Sequence, residues 1–560
     1  MTGRLSSDLR GLIGVCAVAI LALAILAGPL AAQSPRFEVT LPAGDTPVTG
    51  RLLVIAADSP VPEPRLTLAV TGPAVFGMDV EGAAPGSTIT LSGDADSYPV
   101  SLAELESGEY HFQAVLVTYD TVTRADGHTI SVPITHRRVV FWSKPGNLYS
   151  RPVPARIEPG AVIGLELTEV IADLPELEDT EWYRRVRIRS DILSDFWGTD
   201  MYLGATVLVP RGFDDHPEAR YPAIYTFGHG DSPFFLNPDP ASHTEAAIER
   251  ARDANVETGY EFYQRWIADD FPRVAAIVFE HPSPYFLESY AVNSANNGPY
   301  GDAITQELIP HLEREFRLIP ERHARIVEGA STGGWEALAF QLYYPEMFGG
   351  AWVFNPDPID FSRYMLADIY EDTNMFTVPV SRYITRERPF RRTREGQPMW
   401  QMREVARFES VLGSRGRTGY QLGIWQATHG PVGEDGYPVA LFDLLTGEIN
   451  HEVAEYGREN GYDLTEYTRR NWDRLGPLLE NDIHLIAGEM DEFYLNLAVY
   501  NFEDMIGEVA GPDYPIRFLY GRPKRGHNYH HTDWAGMVLE AAEHVRANTP
   551  DPRQIDAWNY

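Results

Sequence analysis

Two kinds of apolar patterning divide the chain. From residue 36 to about 146 the apolar positions fall in short, β-branched-rich runs, many separated by Gly-, Pro- or Asp-rich turns. Phe37–Leu41, Arg51–Ala57, Arg65–Val70, Ser87–Leu91, Tyr110–Tyr119, Thr129–Ile134 and Arg137–Trp142 read as strands. Short strands with no helical period predict an all-β, immunoglobulin-like sandwich over 36–146. Lys144-Pro145-Gly146-Asn147 opens a proline-bearing segment that reads as a linker to about Pro159.

From about 160 to 548 the pattern changes. Glu181–Arg189 alternates, and Tyr202–Val209 follows as a second strand. Pro222–Phe227, Val274–Phe279 and Ala324–Val327 are continuous apolar runs of the kind buried on both faces, and Ala351–Phe354, His484–Ala487 and Ile516–Tyr520 extend the series. Within Asp302–Phe316, Ile304, Leu308, Ile309, Leu312 and Phe316 share one helical face. Apolar strands alternating with helices predict a doubly wound α/β unit with a mostly parallel sheet. Residues 356–480 interrupt the alternation with aromatics, charges and helix-like stretches at Met399–Leu412 and Leu464–Leu475. That segment reads as a helical cap inserted over the carboxyl edge of the sheet, where functional insertions sit.

Length, charge and cysteine use narrow the class. A chain of 560 residues calls for two or three units. Arg4 and Arg10 precede an apolar run from Gly11 to Gly28, and Leu30-Ala31-Ala32 offers a small-residue cleavage site, so 1–32 reads as an export signal. An uncleaved N-terminal anchor is the lesser alternative. Cleavage removes Cys16, the single cysteine, and with it disulfides, thiol catalysis and thiolate metal sites. The formal net charge of −34 argues against nucleic acid or anionic membranes as partners.

The chemistry centres on Gly329-Ala330-Ser331-Thr332-Gly333-Gly334. An apolar strand precedes this G-x-S-x-G motif and an alanine-rich amphipathic segment follows it, the setting of a nucleophile elbow. The glycines tolerate strained dihedrals, and the serine sits where a helix dipole favours negative charge. A serine hydroxyl needs a histidine to take its proton and a carboxylate to orient that histidine. His484–Ala487 leads into Gly488-Glu489-Met490-Asp491, which makes Asp491 the acid, with Glu489 and Glu492 as rivals. Ile516–Tyr520 leads toward Gly526-His527, which makes His527 the base, with His530 and His531 as alternatives. An oxyanion needs backbone donors. Thr332, after the serine, supplies one, and Asp231, after Gly228-His229-Gly230, is the candidate for the other.

These pieces carry a resemblance. Arg220-Tyr221-Pro222 with His229-Gly230, Tyr300-Gly301-Asp302 with Glu307 to Pro310, the elbow, Tyr344 to Phe348, Gly488 to Asp491 and Gly526-His527 resemble the "putative esterase" family of α/β-hydrolases. That family includes esterase D, feruloyl esterases, enterochelin esterases and mycolyltransferases. The resemblance covers about 165–355 and 480–545. It implies an α/β-hydrolase fold, a Ser331–His527–Asp491 triad and oxyanion donors at Thr332 and Asp231. Two departures stand out: the methionine usual after the serine is Thr332, and 356–480 is unusually long.

The expected function is an exported serine esterase, in the periplasm or outside the cell, acting on a small-molecule or carbohydrate-linked ester without metal or organic cofactor. A peptidase on the same elbow, or a non-catalytic carbohydrate-binding protein with a degenerate hydrolase unit, are the alternatives. Arg382, Arg386, Arg388, Arg391, Arg392 and Arg394 could bind an anionic substrate or form a solvated face paired with acids such as Glu387 and Glu395. Trp400, Trp425, Tyr285 and Phe286 are candidates for a substrate platform or for ordinary core packing.

Overall fold

The computed structural model describes residues 34–230, 233–551, 553, 554 and 560. The signal-like segment 1–32 and Asp231 lie outside the described residues.

The N-terminal region is two sheets packed face to face. In the smaller, Arg36–Thr40 lies between Val162–Glu166, parallel, and Thr88–Leu91, antiparallel. In the larger, Val48–Ala57 pairs with Ala74–Ala83 on one side and Gly108–Thr118 on the other. Phe37, Val39, Leu52, Val54, Phe112 and Leu165 fill the space between the sheets. The period of two sends the alternate residues Leu53 and Ile55 to the opposite face, where they join the core of the rest of the molecule. The central strand therefore reads as an unbroken apolar run because it is buried on both sides.

Several sequence expectations are corrected here. Arg65–Val70 holds a short 3-10 helix, Pro64–Thr67, started by its proline. Arg137–Trp142 is no strand; Phe141–Ser143 is a 3-10 turn, and the Arg138 N–H donates to Glu280 Oε1 at 2.8 Å. The segment read as a linker carries Leu148–Tyr149 and Val153–Ile157, and Val162–Glu166 and Glu169–Val170 follow, all paired in the N-terminal sheets. The β-rich region thus runs to Val170. Pro154 obscured this, yet it is tolerated because Val153–Ile157 pairs on one side only. Ala74–Ala83 escaped notice because Gly77, Asp79 and Gly82 break its apolar pattern.

The second unit is an eight-stranded sheet. Its strands are β1 Tyr183–Ser190, β2 Met201–Leu208, β3 Ala223–Phe227, β4 Ala275–Glu280, β5 Arg325–Ala330, β6 Gly350–Phe354, β7 Ile483–Gly488 and β8 Arg517–Gly521. Their order across the sheet is β1-β2-β4-β3-β5-β6-β7-β8. β2 runs antiparallel to β1 and β4, and every pair from β4/β3 to β7/β8 is parallel. The carboxyl ends of β3, β5, β6, β7 and β8 therefore open on one edge. β5 and β6 are central, and the helix Thr332–Tyr343 after β5 is buried along nearly its whole length. This is the α/β-hydrolase architecture, preceded by an all-β region.

Residues 355–482 form the insertion between β6 and β7. They hold the hairpins Thr377–Ser381/Ile384–Glu387 and Pro389–Arg392/Pro398–Gln401, and the helices Met402–Leu412, Gln421–His429, His451–Glu459, Leu464–Arg470 and Trp472–Leu479. The helix expected over Met399–Leu412 starts at Met402 because Pro398–Gln401 is committed to a hairpin, and Leu464–Leu475 breaks at Asn471. The sandwich docks on this insertion. Tyr98 meets Phe408 edge-on at 5.6 Å, and buried Arg51 donates through Nε to the Val411 carbonyl at 3.0 Å. Gly77 is glycine for the same reason: a Cβ there would lie 2.4 Å from the Val411 oxygen.

Candidate active site

Ser331 links β5 to the helix Thr332–Tyr343 with φ 59° and ψ −123°, a strained setting for a residue with a Cβ. Three glycines make the turn possible by letting backbones touch. A Cβ on Gly329 would fall 2.3 Å from the Gly333 oxygen, one on Gly333 2.2 Å from the Phe227 oxygen, and one on Gly334 2.8 Å from the Phe354 oxygen. The Ser331 N–H donates to the Phe354 carbonyl at 3.0 Å, and the Ser331 carbonyl accepts from Asp357 N at 3.1 Å. The elbow is thereby fastened to the end of β6. Thr332 opens the helix, so its N–H belongs to the first turn, where no intrahelical acceptor exists.

The loops after β7 and β8 meet. Asp491, fully buried, is 2.7 Å through Oδ2 from His527 Nδ1, while its Oδ1 accepts from Phe493 N at 2.8 Å and Leu495 N at 3.2 Å. Burial disfavours the charged imidazole, but Asp491 first, then Asp357 and Glu492, outweigh it and raise His527 above its ordinary range. Phe493 packs edge-on against the His527 ring at 4.9 Å. Glu492, a rival for the acid, instead accepts the backbone N–H of His527. Glu489, the other rival, accepts from Lys524 N at 2.8 Å.

His530 and His531, the alternative bases, are engaged elsewhere. His530 is buried against Phe354 at 4.5 Å, with Nδ1 3.0 Å from the Asn528 oxygen, and burial lowers it to about 4. His531 Nε2 lies 3.0 Å from Glu540 Oε2. Of the three, only His527 meets Asp491 among the described contacts.

Asp357 is the residue that sequence reasoning missed. It lies three residues beyond β6, and the Ser331 hydroxyl donates to its Oδ1 at 3.4 Å. Its Oδ2 accepts from Tyr290, from Thr332 Oγ1 at 2.9 Å, from Gln421 Nε2 at 2.9 Å and from Trp425 Nε1 at 3.3 Å. Burial pushes its carboxyl above the ordinary range, against these hydrogen bonds and the fields of His527 and His229. Asp357 thus touches the serine, and its charge and that of His527 act on one another. The available signal was a carboxylate at the carboxyl end of a buried central strand. Gln421 and Trp425 come from the insertion, so that segment does line the site. Tyr285 and Phe286 are buried in the core.

The arginine cluster is largely committed. Arg388 binds Asp372 at 2.5 Å, Arg392 Nε donates to the Asp491 carbonyl at 2.9 Å, and Arg394 binds Asp253 at 2.6 Å. Arg391 stacks over Trp400, 4.9 Å from the ring centre. Apart from these, His229 Nδ1 lies 3.1 Å from the fully buried Glu288 Oε1, and His281 and Glu336 are buried 3.9 Å from one another. Asp231, the second oxyanion candidate, lies outside the described residues.

A family model described as "Putative esterase" matches residues 199–473. Among solved structures, a ferulic acid esterase is 14% identical, with 67% of this chain and 99% of that one covered and a TM-score of 0.33. An S-formylglutathione hydrolase from Staphylococcus aureus is 14% identical over 65% of this chain and 98% of that one, with a TM-score of 0.31. An S-formylglutathione hydrolase from Agrobacterium tumefaciens is 12% identical over 68% and 98%, also with a TM-score of 0.31. No curated protein matches the chain. The sheet order and the family match over 199–473 give an esterase-like α/β-hydrolase fold.

Proposed function

We propose that the protein is a serine hydrolase that cleaves a carboxylic ester through an acyl-enzyme. The observation that carries this reading is the pairing of a strained elbow serine, Ser331, with a His527–Asp491 contact of 2.7 Å on the same sheet edge. Ser331 Oγ attacks the ester carbonyl while His527 takes its proton on Nε2, the nitrogen left once Nδ1 is bound to Asp491. The Thr332 N–H, with Asp231 as second donor, holds the developing oxyanion. Collapse of the tetrahedral species breaks the C–O bond, and His527 returns the proton to the departing alcohol. Water, deprotonated by the same imidazole, then frees the acid and restores Ser331.

In the resting state Ser331 donates to Asp357, so its hydroxyl must turn toward His527 before attack. The substrate is a small-molecule or sugar-linked ester bound beneath the insertion. The protein is exported through residues 1–32 and acts outside the cytoplasm. A fluorophosphonate probe tests the nucleophile: it should label the wild type and not Ser331→Ala, and equal labelling of both would remove Ser331 from this role. Turnover of p-nitrophenyl acetate with none of peptide anilides supports an esterase; the opposite result makes it a peptidase. Comparing the precursor with the protein recovered outside the cytoplasm tests export. An intact N-terminus on a cytoplasmic protein would reject it.

A further inference from the structure

Glu336 is the one charged side chain in the elbow helix, whose sequence is otherwise TGGW and ALAFQLY. It is fully buried, five residues after Ser331. Two more buried ionisable groups face it. His281 directly follows β4, and Glu288 lies in the loop beyond; both are fully buried. One ligand atom from each of His281, Glu288 and Glu336 lies within 4.8 Å of the other two, and His281 Nε2 is 3.9 Å from Glu336 Oε1. Among the described residues, His281 Nε2 and all four carboxylate oxygens have no hydrogen-bond partner. Glu288 Oε1 also lies 3.1 Å from His229 Nδ1, an ion pair when that imidazole is protonated. Buried acceptors of this kind are rarely left unmatched.

We propose that His281, Glu288 and Glu336 form a binding site for one first-row divalent cation. One imidazole and two carboxylates suit Zn²⁺ or Mn²⁺ better than Ca²⁺ or Mg²⁺, which favour all-oxygen shells. Zinc bonds of about 2.0–2.2 Å place tetrahedral ligand atoms roughly 3.4 Å apart, so small side-chain rotations close the set. Binding requires the imidazole proton on Nδ1, where Ser289 Oγ lies 3.1 Å away as acceptor. Ser289 N, 3.2 Å from the same nitrogen, then gives up that contact. His229 and Arg138 supply outer charge; Arg138 donates to the carbonyls of Gly230 at 2.5 Å and Phe279 at 2.6 Å. The ion would tie the β4 loop to the elbow helix and, through Glu288 and His229, to the loop after β3. It would brace the hydrolytic site from behind and take no part in bond breaking.

The test uses the full-length mature protein, untagged and purified without chelator. Elemental analysis should find about one zinc or manganese per chain. After dialysis against dipicolinate, ZnCl₂ or MnCl₂ at one equivalent should restore a Tm raised by several degrees. Glu336→Gln and Glu288→Gln should each lose the stoichiometric metal and the Tm response. Wild-type protein that carries no metal and shows no Tm change with either salt would overturn the site, leaving shared protons or waters to satisfy the cluster. Metal retained by both variants would also overturn it, by placing the ion elsewhere. Fluorophosphonate labelling of Ser331 in each sample reports the hydrolase reading separately, since it needs no ion.

Discussion

Ser331 Oγ donates to Asp357 Oδ1 at 3.4 Å, while the other Asp357 oxygen is held by Tyr290, Thr332, Gln421 and Trp425. A buried carboxylate beside the candidate nucleophile has two consequences. It gives the resting serine an acceptor, and its charge helps raise the His527 imidazole. The base works only when neutral, so activity should fall as pH drops through a pKa above the ordinary 6.5 of histidine. Asp357→Asn removes one of the anions, and the acid limb of kcat/KM should move to lower pH. Its amide also brings donors into a site already full of donors, costing about 1–3 kcal/mol of stability. A pH–rate series on both proteins decides this; an unmoved limb would detach Asp357 from the imidazole.

The contact between His527 and Asp491 predicts a graded series. His527→Ala should abolish turnover. Asp491→Asn should lower kcat by about 10⁴-fold while leaving the fold intact, because the tautomer and orientation of the imidazole are lost. His530→Ala and His531→Ala should keep most activity and lose stability instead, since His530 packs on Phe354 and His531 pairs with Glu540. Raised folded-state pKa also sets a linkage sign for His527. Its stabilising contribution is complete below the unfolded pKa near 6.5 and is lost as pH rises through the higher folded value. Stability curves of wild type and His527→Ala should therefore converge toward alkaline pH.

Much of this was legible in the chain. All eight strands of the large sheet stand within a few residues of where they were expected: the interior strands because those buried on both faces must be apolar throughout, the edge strand β1 because its residues alternate. Ser331, Asp491 and His527 stand out as candidates through local grammar: a glycine-rich turn, or a polar residue just beyond a strand. Asp357 does not, because its meaning comes from Tyr290, Gln421 and Trp425, which the fold alone brings near it. The strands from Leu148 to Val170 were hidden for a different reason. They complete sheets begun more than a hundred residues earlier, and Pro154 gives them the appearance of a linker.

Buried Arg51 is one of several residues that bind the sandwich to the insertion, beside Arg417, which pairs with Asp79 at 3.5 Å and donates to the Ser131 carbonyl at 2.8 Å. Arg51 Nη2 binds Asp96 Oδ2 at 2.6 Å and its Nη1 binds Asp79 Oδ1 at 3.2 Å, while the guanidinium also holds the Val411 carbonyl. The two aspartates keep side-chain exposures of 44% and 32%, so they can turn to water when the arginine is removed. The Val411 carbonyl cannot. Arg51→Ala should therefore cost on the order of 2–3 kcal/mol, below the 3–5 expected for breaking a fully buried pair. The loss should appear as a lower Tm and as faster proteolysis between the sandwich and the helix Met402–Leu412. An unchanged Tm would mean that the other contacts, Tyr98 with Phe408 and Arg417 with Asp79 and Ser131, carry the interface.

Gly526 offers the sharpest test of how the histidine loop is held. A Cβ at this position would lie 2.2 Å from Glu492 Oε2, the carboxylate that accepts the His527 N–H. The backbone of Gly526 also touches Gly488, where a Cβ would fall 2.3 Å from the Gly526 oxygen. Gly526→Ala therefore forces Glu492 off the loop without touching Ser331, Asp491 or the imidazole itself. A displacement of about 1 Å at the base is enough to lower kcat by roughly 10²-fold. Fluorophosphonate labelling should slow by a similar factor while circular dichroism stays the same. Glu492→Ala in the same background should return part of the rate, because it removes the clash along with the hydrogen bond. If Gly526→Ala alone keeps full activity, the position of His527 is set by Asp491 and Phe493, and Glu492 is only a neighbour.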